Sequence, residues 1–258
     1  MLATEREQFI RSEVTNKGVA YVNQLVKTLN VTPPTIRSDL NKLTKKYPDL
    51  NRIHGGIVYN DESLKSDFPD TITGYSQRSF TNRKEKRLIA KKATNLLKKG
   101  DTILLDSSST CFEFASLLSN YKSPLTVITN GLSTGNILKQ NDHINVLIIG
   151  GLLKKDSNTV YDEFSHSILT HFNIDKYFFS ATGLSVQSGF SERNLMEVKH
   201  KRENILNAKK AIALIDHTKF NNDSSSTFCS LDEVDCIVTD EEHESQVIEL
   251  YEKKIQIL

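Results

Sequence analysis

Apolar residues recur along the first sixty positions at the spacing of short helices. Phe9, Ile10 and Val14 fall on one side of a segment from Leu2 to Lys17, with Gly18 as its stop. Val19-Ala20-Tyr21 is long enough only for a strand stub. Val22, Leu25, Val26 and Leu29 then recur at i, i+3, i+4 and i+7 and predict a second, compact helix. After Asn30-Val31, Thr32 stands where a helix cap is needed, and Pro33 suits a first turn that requires no backbone N–H. Ile36, Leu40, Leu43 and Tyr47 make one buried stripe of a third helix. At about 100° per residue its opposite side carries Pro34, Arg37, Ser38, Asn41 and Lys45, with Lys42 beside them. Tyr47-Pro48-Asp49 ends that helix, and Leu50–Ile53 and Ile57–Tyr59 flank His54-Gly55-Gly56 as a hairpin. Two short helices joined by about three residues and followed by a hairpin predict a winged helix-turn-helix over 1–60.

Residues 60–82 are polar and without sustained period, which predicts a linker over 61–81. From Asn82 the pattern changes. A helix from Arg83 to Lys99 leads through Gly100-Asp101 into the apolar strand 102–105. Helix 111–118, strand 125–129, helix 132–139 and strand 145–149 follow. Then come a helix near 164–172, strand 176–180, helix 193–208, strands 211–215 and 235–239, helix 241–253 and a short strand at 255–258. Apolar strands alternating with amphipathic helices predict a mostly parallel, doubly wound α/β domain over 82–258, whose ligands sit at the carboxyl ends of the strands.

Composition narrows the classes. The chain has 258 residues, 38% hydrophobic and 25% charged, as expected of a globular protein. Its net charge of +1 conceals an asymmetry: residues 1–60 hold nine Lys/Arg against five Asp/Glu, and the remainder holds 24 against 27. A basic amino-terminal module on a slightly acidic body suits a polyanion partner at one end. Cys111, Cys229 and Cys236 include no CxxC pair, and no His cluster stands at zinc spacing, so we expect no metal and a reducing compartment. Met1–Glu7 lacks the apolar core of a signal peptide, and no run approaches a membrane span; the expected location is the cytoplasm, with no membrane partner.

The outer face of the third helix offers donors, amides and positive charge. A major groove accepts such a helix, Arg forking onto guanine and Asn onto adenine; a solvated helix face is the plain alternative. The candidate DNA-binding residues are Thr32, Pro34, Thr35, Arg37, Ser38, Asn41, Lys42 and Lys45, with Arg52 and His54 of the hairpin placed for phosphate or the minor groove. In the second domain, Asp106-Ser107-Ser108-Ser109-Thr110 lies after a strand and before a helix. Small hydroxyl residues let the backbone approach a ligand, and a helix start adds free N–H groups, so the expected guest is a phosphate. Helix capping alone is the plain alternative. Thr129-Asn130-Gly131, Gly150-Gly151, Ala181-Thr182-Gly183 and Asp216-His217-Thr218-Lys219-Phe220 end other strands and converge on the same edge. Lys219 offers charge to a phosphate, and Asp216 or Asp106 an acceptor to sugar hydroxyls. Glu197 and Lys199 open a helix and either face the pocket or belong to a solvated face. Cys111 near a helix start is either a thiol of lowered pKa or a buried structural one. There is no GxSxG, Walker or GxGxxG motif.

Taken together, the chain resembles DeoR-family transcriptional regulators. The likeness rests on Thr35-Ile36-Arg37-Ser38-Asp39-Leu40-Asn41-Lys42-Leu43 with Arg52-Ile53-His54-Gly55-Gly56. It continues through Asn82, Glu85-Lys86, Gly100–Ile103, Leu105–Ser107 with Thr110, Thr129-Asn130, Gly150-Gly151, Glu197–Lys199 and Asp216–Phe220. The resemblance implies a sensor domain similar to ribose-phosphate isomerases, binding a phosphorylated sugar. Asp106 to Thr110 would hold it, aided by Thr129, Asn130, Gly151, Lys199, Asp216 and Lys219. Three departures stand out: Ser38 where the family usually has a second arginine, Ser108-Ser109 where it has Gly-Thr, and Thr182 where an Asp is common. Without that acid, and with no lysine in 183–196, we expect a binder without catalytic residues or cofactor; a working sugar-phosphate isomerase carrying a DNA-binding module is the alternative. The expected partners are double-stranded operator DNA, a phosphorylated sugar effector, and further copies of the chain in a homodimer or homotetramer.

Overall fold

The computed structural model describes residues 3–17, 19–53, 56–59, 78–79, 81–153, 157–161, 166–240 and 245–258. It divides into two units, Met1–Arg83 and Lys84–Leu258. No described helix is long and apolar enough to cross a membrane.

In the first unit α1 (Ala3–Lys17), β1 (Val19–Tyr21), α2 (Val22–Leu29) and α3 (Pro33–Lys46) precede the hairpin of β2 (Leu50–Ile53) and β3 (Gly56–Tyr59). Ile10, Val14, Leu25, Ile36, Leu40 and Leu43 form the core, with Phe9, Val26 and Tyr47 packed at its margin. Asn30 closes α2 in the left-handed conformation (φ 50°), which lets the chain turn sharply into α3. The stub β1 is the third strand of the wing, pairing antiparallel with β3. Thr32 does occupy the cap position of α3, but its hydroxyl meets the Thr35 hydroxyl at 2.9 Å and no backbone amide. Prolines at 33 and 34 have already removed two of the N–H groups a cap would satisfy. Gly18, His54, Gly55 and nearly all of the expected linker lie outside the described residues.

The second unit is built on seven parallel strands. β4 (Thr102–Leu105), β5 (Leu125–Thr129) and β6 (Ile144–Ile148) extend one way from the centre. β9 (Lys176–Phe179), β12 (Ala211–Ile215), β14 (Cys236–Thr239) and β15 (Gln256–Ile257) extend the other, giving the order 15-14-12-9-4-5-6. Side chains alternate along each strand, so both faces are apolar. Ile103, Leu105, Phe178, Ile212 and Leu214 pack under α4 (Arg83–Thr94), α5 (Ser109–Leu118) and α6 (Leu132–Leu138). Leu104, Tyr177, Phe179, Ala213 and Ile215 face the other layer, which includes α8 (Leu195–Asn207) and α9 (Ser245–Glu252). A ribbon of β7 (Leu152–Leu153) and β8 (Val160–Tyr161) and a short α7 (His166–Leu169) link β6 to β9.

Two sequence expectations change. The helix expected to reach Lys99 stops at Thr94. Asn95, Leu96 and Leu97 continue as tight turns bonded to the carbonyls three residues back, and Leu96 and Leu97 still reach the core. The stretches after β9 and β12, read as strand-end loops with a helix start, hold a separate antiparallel sheet. Its strands are β10 (Gly183–Ser185), β11 (Gly189–Glu192) and β13 (Ser226–Cys229). Gly189 turns the β10–β11 hairpin at φ 75°. Gly183 is needed for space, because a Cβ there would stand 2.2 Å from the Asn222 carbonyl oxygen.

Gly183→Ala is therefore expected to destabilise the second unit by roughly 1–3 kcal/mol, the usual cost of forcing atoms into a packed site. Urea denaturation with unchanged midpoint would contradict that.

Candidate functional site

Because all seven strands run the same way, their carboxyl ends share one edge. The order reverses between β4 and β9, and a crevice forms at such a reversal. Asp106 leaves β4 there and Ser180 leaves β9. Asp106 Oδ1 accepts the Ser108 amide at 2.9 Å, and Oδ2 accepts the Ser180 amide at 2.9 Å. Lys201 of α8 brings its Nζ to 3.2 Å from the same Oδ2, 2.6 Å from Glu192 Oε1 and 2.5 Å from the Ser180 carbonyl. Three donors thus meet three acceptors. The other oxygen of Glu192 accepts the Thr182 hydroxyl at 2.5 Å. Asp106, Glu192 and Lys201 are all buried. Burial pushes the Asp106 pKa up, but Lys201 and the bonds from residues 108 and 180 outweigh it, and the carboxyl ends below its usual range. Burial likewise pulls Lys201 down, and the Glu192 and Asp106 carboxylates outweigh that, holding the ammonium well above the ordinary lysine value.

Around this cluster the turn 106–110 is closely tied. Ser107 shares a 2.7 Å hydroxyl contact with Thr159, and Ser108 caps α5 by accepting the Cys111 amide at 3.2 Å. Ser109 and Thr110 are buried, and Thr110 donates to the Ser180 hydroxyl at 3.5 Å. The Ser109 and Thr110 amides, in the first turn of α5, have no acceptor among the described residues. Thr129 accepts the Gly131 amide at 3.0 Å, and the Asn130 carbonyl accepts that of Val160 at 2.8 Å, which holds β8 beside the turn. Asp216 is buried and caps the short turn His217–Lys219, in which Lys219 is half-buried. Gly150 and Gly151 are exposed beyond β6, at the edge of the sheet. Glu197 is half-buried and takes a 3.4 Å bond from the Tyr161 hydroxyl.

Two expectations are corrected. Asp106 has both oxygens committed inside the fold and so holds the turn; it does not stand ready for a sugar hydroxyl. Lys199 is exposed on α8, and Lys201, about half a helical turn round, is the lysine that reaches Asp106. A signal for it exists in the sequence: Lys201 sits between Val198 and Ile205 at the three-and-four spacing of that helix's apolar stripe. Beside Thr182 a polar cleft of about 340 Å³ opens, lined also by Arg193, Asn222, Asp223, Ser224 and Ser225, none of them singled out by sequence. The thiols are buried, and Cys111 donates to the Phe178 carbonyl at 3.4 Å inside the core, as a structural thiol does; burial pushes the Cys111 pKa well up and that of Cys236 to about 11.

In the first unit Pro34, Arg37, Ser38, Asn41, Lys42 and Lys45 are all exposed, Thr32 is exposed and Thr35 half-buried. Arg37, Lys42 and Lys45 have no ion pair among the described residues. The one carboxylate of α3, Asp39, is buried against Arg6 Nε at 2.8 Å. Arg52 donates to the Gly56 carbonyl at 2.5 Å, so part of its guanidinium is already engaged in the wing. Burial, with the Arg37 charge beside it, pulls its pKa down.

A family model described as DeoR-like helix-turn-helix domain matches residues 6–63, and one described as DeoR C terminal sensor domain matches 81–241. The HTH-type transcriptional regulator GolR of Listeria innocua is 33% identical over 240 residues, 93% of this chain and 91% of that one. The lactose phosphotransferase system repressor of Staphylococcus epidermidis is 32% identical over 239 residues, 92% and 91% of the two chains. A ribose 5-phosphate isomerase structure from Methanocaldococcus jannaschii overlaps 54% of this chain and 55% of its own, with TM-score 0.41 and 18% identity.

Lys201→Met leaves two buried carboxylates without their cation, and a loss of about 3–5 kcal/mol in urea denaturation is expected at neutral pH. The pH dependence has a definite sign. The raised Lys201 pKa gives stability that is complete below the unfolded lysine pKa and is lost as pH rises through the folded value. The lowered Asp106 pKa gives stability that is complete above the unfolded carboxylate pKa and is lost as pH falls through the folded value. Between those limits the two groups contribute no slope, and a midpoint varying steeply from pH 6 to 9 in wild type but not in Lys201→Met would contradict the assignment.

Proposed function

The chain belongs to the DeoR family of helix-turn-helix transcriptional regulators, and from that premise we propose a division of labour within it. Residues 1–60 bind duplex operator DNA through α3 and the wing, and residues 82–258 bind a phosphorylated sugar that controls that binding. The observation that carries the first part is the outer face of α3. Its three exposed cations lack ion pairs among the described residues while its single carboxylate is folded inward on Arg6. Arg37 and Asn41 read base edges, Thr32, Pro34, Thr35, Ser38 and Lys42 line the approach, and Lys45, Arg52 and His54 hold phosphate.

For the second part, the support is the crevice between β4 and β9, where the unsatisfied first-turn amides of α5 stand beside the Ser107 and Ser108 hydroxyls. Anions favour such a place through the amides and the helix dipole together. Thr129, Asn130, Gly150, Gly151, Thr182, Gly183, Asp216 and Lys219 surround the rest of the ligand at neighbouring strand ends, with Glu197 on the flanking helix. Binding proceeds without turnover. Sugar-phosphate isomerisation needs a carboxylate base and a cation or donor for the enediolate; the buried Lys201 is held by Asp106 and Glu192, and position 182 carries a threonine where an acid is common in the family. One relative is a lactose phosphotransferase system repressor, which favours repression of carbohydrate genes. Two sensor domains pairing about a twofold axis would match two operator half-sites, so the working form is a homodimer or homotetramer.

Arg37→Ala is expected to relax sequence preference at a cost of roughly 1–3 kcal/mol, and Lys45→Ala to lower the salt slope of DNA binding by about one without changing preference. Equal losses on operator and random duplex for both variants, read by fluorescence anisotropy, would refute the division. Ser107→Ala is expected to abolish the thermal upshift that a sugar phosphate gives the wild type. An aldose phosphate converted to its ketose would overturn binding without turnover.

A further inference from the structure

The cleft beside Thr182 is made by a loop that is fixed before any ligand arrives. Phe220 packs edge-on against the buried Tyr251 with ring centroids 5.0 Å apart, and the Tyr251 hydroxyl accepts the Asn221 amide at 3.1 Å. Asn221 itself turns at φ 53°. The Asn222 amide donates to the Leu184 carbonyl at 3.2 Å, and the Ser224 amide to the Ser191 hydroxyl at 2.8 Å. Gly183, without a side chain, lets the loop lie directly on β10. The backbone of residues 221–224 is thus bound at three points, and its polar side chains are what it leaves over.

Those leftovers are chemically specific. Arg193 and Asp223 line the same cleft, and neither has an ion pair or a hydrogen bond among the described residues. The Ser224 hydroxyl is buried and has no partner. Thr182, Asn222 and Ser225 complete the wall. A buried hydroxyl without a partner costs stability, and it is retained where something else supplies the bond. Residues that carry a carboxylate, a guanidinium, an amide and hydroxyls line one open space, and that chemistry matches a polyhydroxylated ligand: Asp accepts from hydroxyls, and Arg and Asn donate to them.

The cleft is also joined to the turn at 106–110. Thr182 lies two residues beyond Ser180, whose amide holds Asp106 at 2.9 Å, so its backbone is within roughly 7 Å of Ser180 by chain length alone. Its hydroxyl donates to Glu192, Glu192 pairs with Lys201, and Lys201 with Asp106.

We propose that the cleft bounded by Thr182, Arg193 and Asn222–Ser225 is the subsite for the hydroxylated end of the effector, and that Arg193 and Asp223 decide which sugar is accepted. The assignment rests on the reading of the second unit as a sugar-phosphate sensor, with the phosphate at the α5 start. One end is held by backbone amides that accept any phosphate monoester. The other is held by side chains at fixed positions that distinguish one arrangement of hydroxyls from another.

The test is isothermal titration of the full chain with inorganic phosphate, glucose 6-phosphate, fructose 6-phosphate, galactose 6-phosphate and ribose 5-phosphate, in wild type, Arg193→Ala, Asp223→Asn and Ser107→Ala. At least one sugar phosphate should bind wild type more tightly than inorganic phosphate does. Arg193→Ala and Asp223→Asn should each weaken that sugar phosphate about tenfold or more, as expected for bonds to charged groups. Inorganic phosphate should remain within twofold of wild type in both variants, and Ser107→Ala should lose both ligands. Sugar-phosphate affinity unchanged in Arg193→Ala and Asp223→Asn but lost in Ser107→Ala would overturn the cleft assignment and leave the sensor reading standing. If no sugar phosphate binds wild type more tightly than inorganic phosphate, the sensor reading fails and the cleft assignment fails with it.

Discussion

One ammonium holds the strand ends of the sensor domain in register. Lys201 comes from a helix, Asp106 from the end of β4, Ser180 from the end of β9 and Glu192 from the antiparallel ribbon. β9, the β10–β11 hairpin and α8 follow one another within residues 176–207, while β4 lies about seventy residues earlier, yet all meet at one charge. Removing the cation strands two carboxylates in a dry interior, a situation whose cost far exceeds that of an ordinary surface pair. The geometry of the crevice follows from this pairing. With Asp106 pinned, the turn after β4 cannot swing, and the first-turn amides of α5 keep a fixed direction. With Glu192 pinned, Thr182 is held in place as well.

The amino-terminal unit uses the opposite arrangement of charge. On α3 the acid is hidden and the bases are left out: Asp39 closes on Arg6, while Arg37, Lys42 and Lys45 stand in solvent. Lys46 is the exception, drawn back at 3.5 Å to Glu7 of α1, and Arg11 lies over the Tyr47 ring at 3.6 Å. The last turn of α3 is thereby fastened to α1, and the exposed cations are confined to one side of the helix.

Much of this was legible from sequence because it is periodic and local. The third helix, the wing and the parallel strands announce themselves through apolar spacing, and the turn after β4 through its run of small hydroxyl residues. What escaped notice is long-range or short. β10, β11 and β13 have three or four residues each, too few for alternation to register, and two of them meet across more than thirty residues. Lys201 is by composition one more charge in its helix, and only its place in the apolar stripe between Val198 and Ile205 marks it for burial. The loop 221–225 reads as an undistinguished polar tract. Leu184, Ser191 and Tyr251, each about thirty residues or more away in the chain, make it a wall.

Arg37 and Arg52 are near enough to feel each other's charge, one on the helix and one on the wing. Folding has brought like charges together there, and no ion pair to either arginine is found among the described residues. A polyphosphate backbone would be their counterion. Electrolyte shields the two arginines from each other in the free domain and competes the nucleic acid away in the complex, so one pair of charges ties both the helix–wing contact and the grip on DNA to ionic strength.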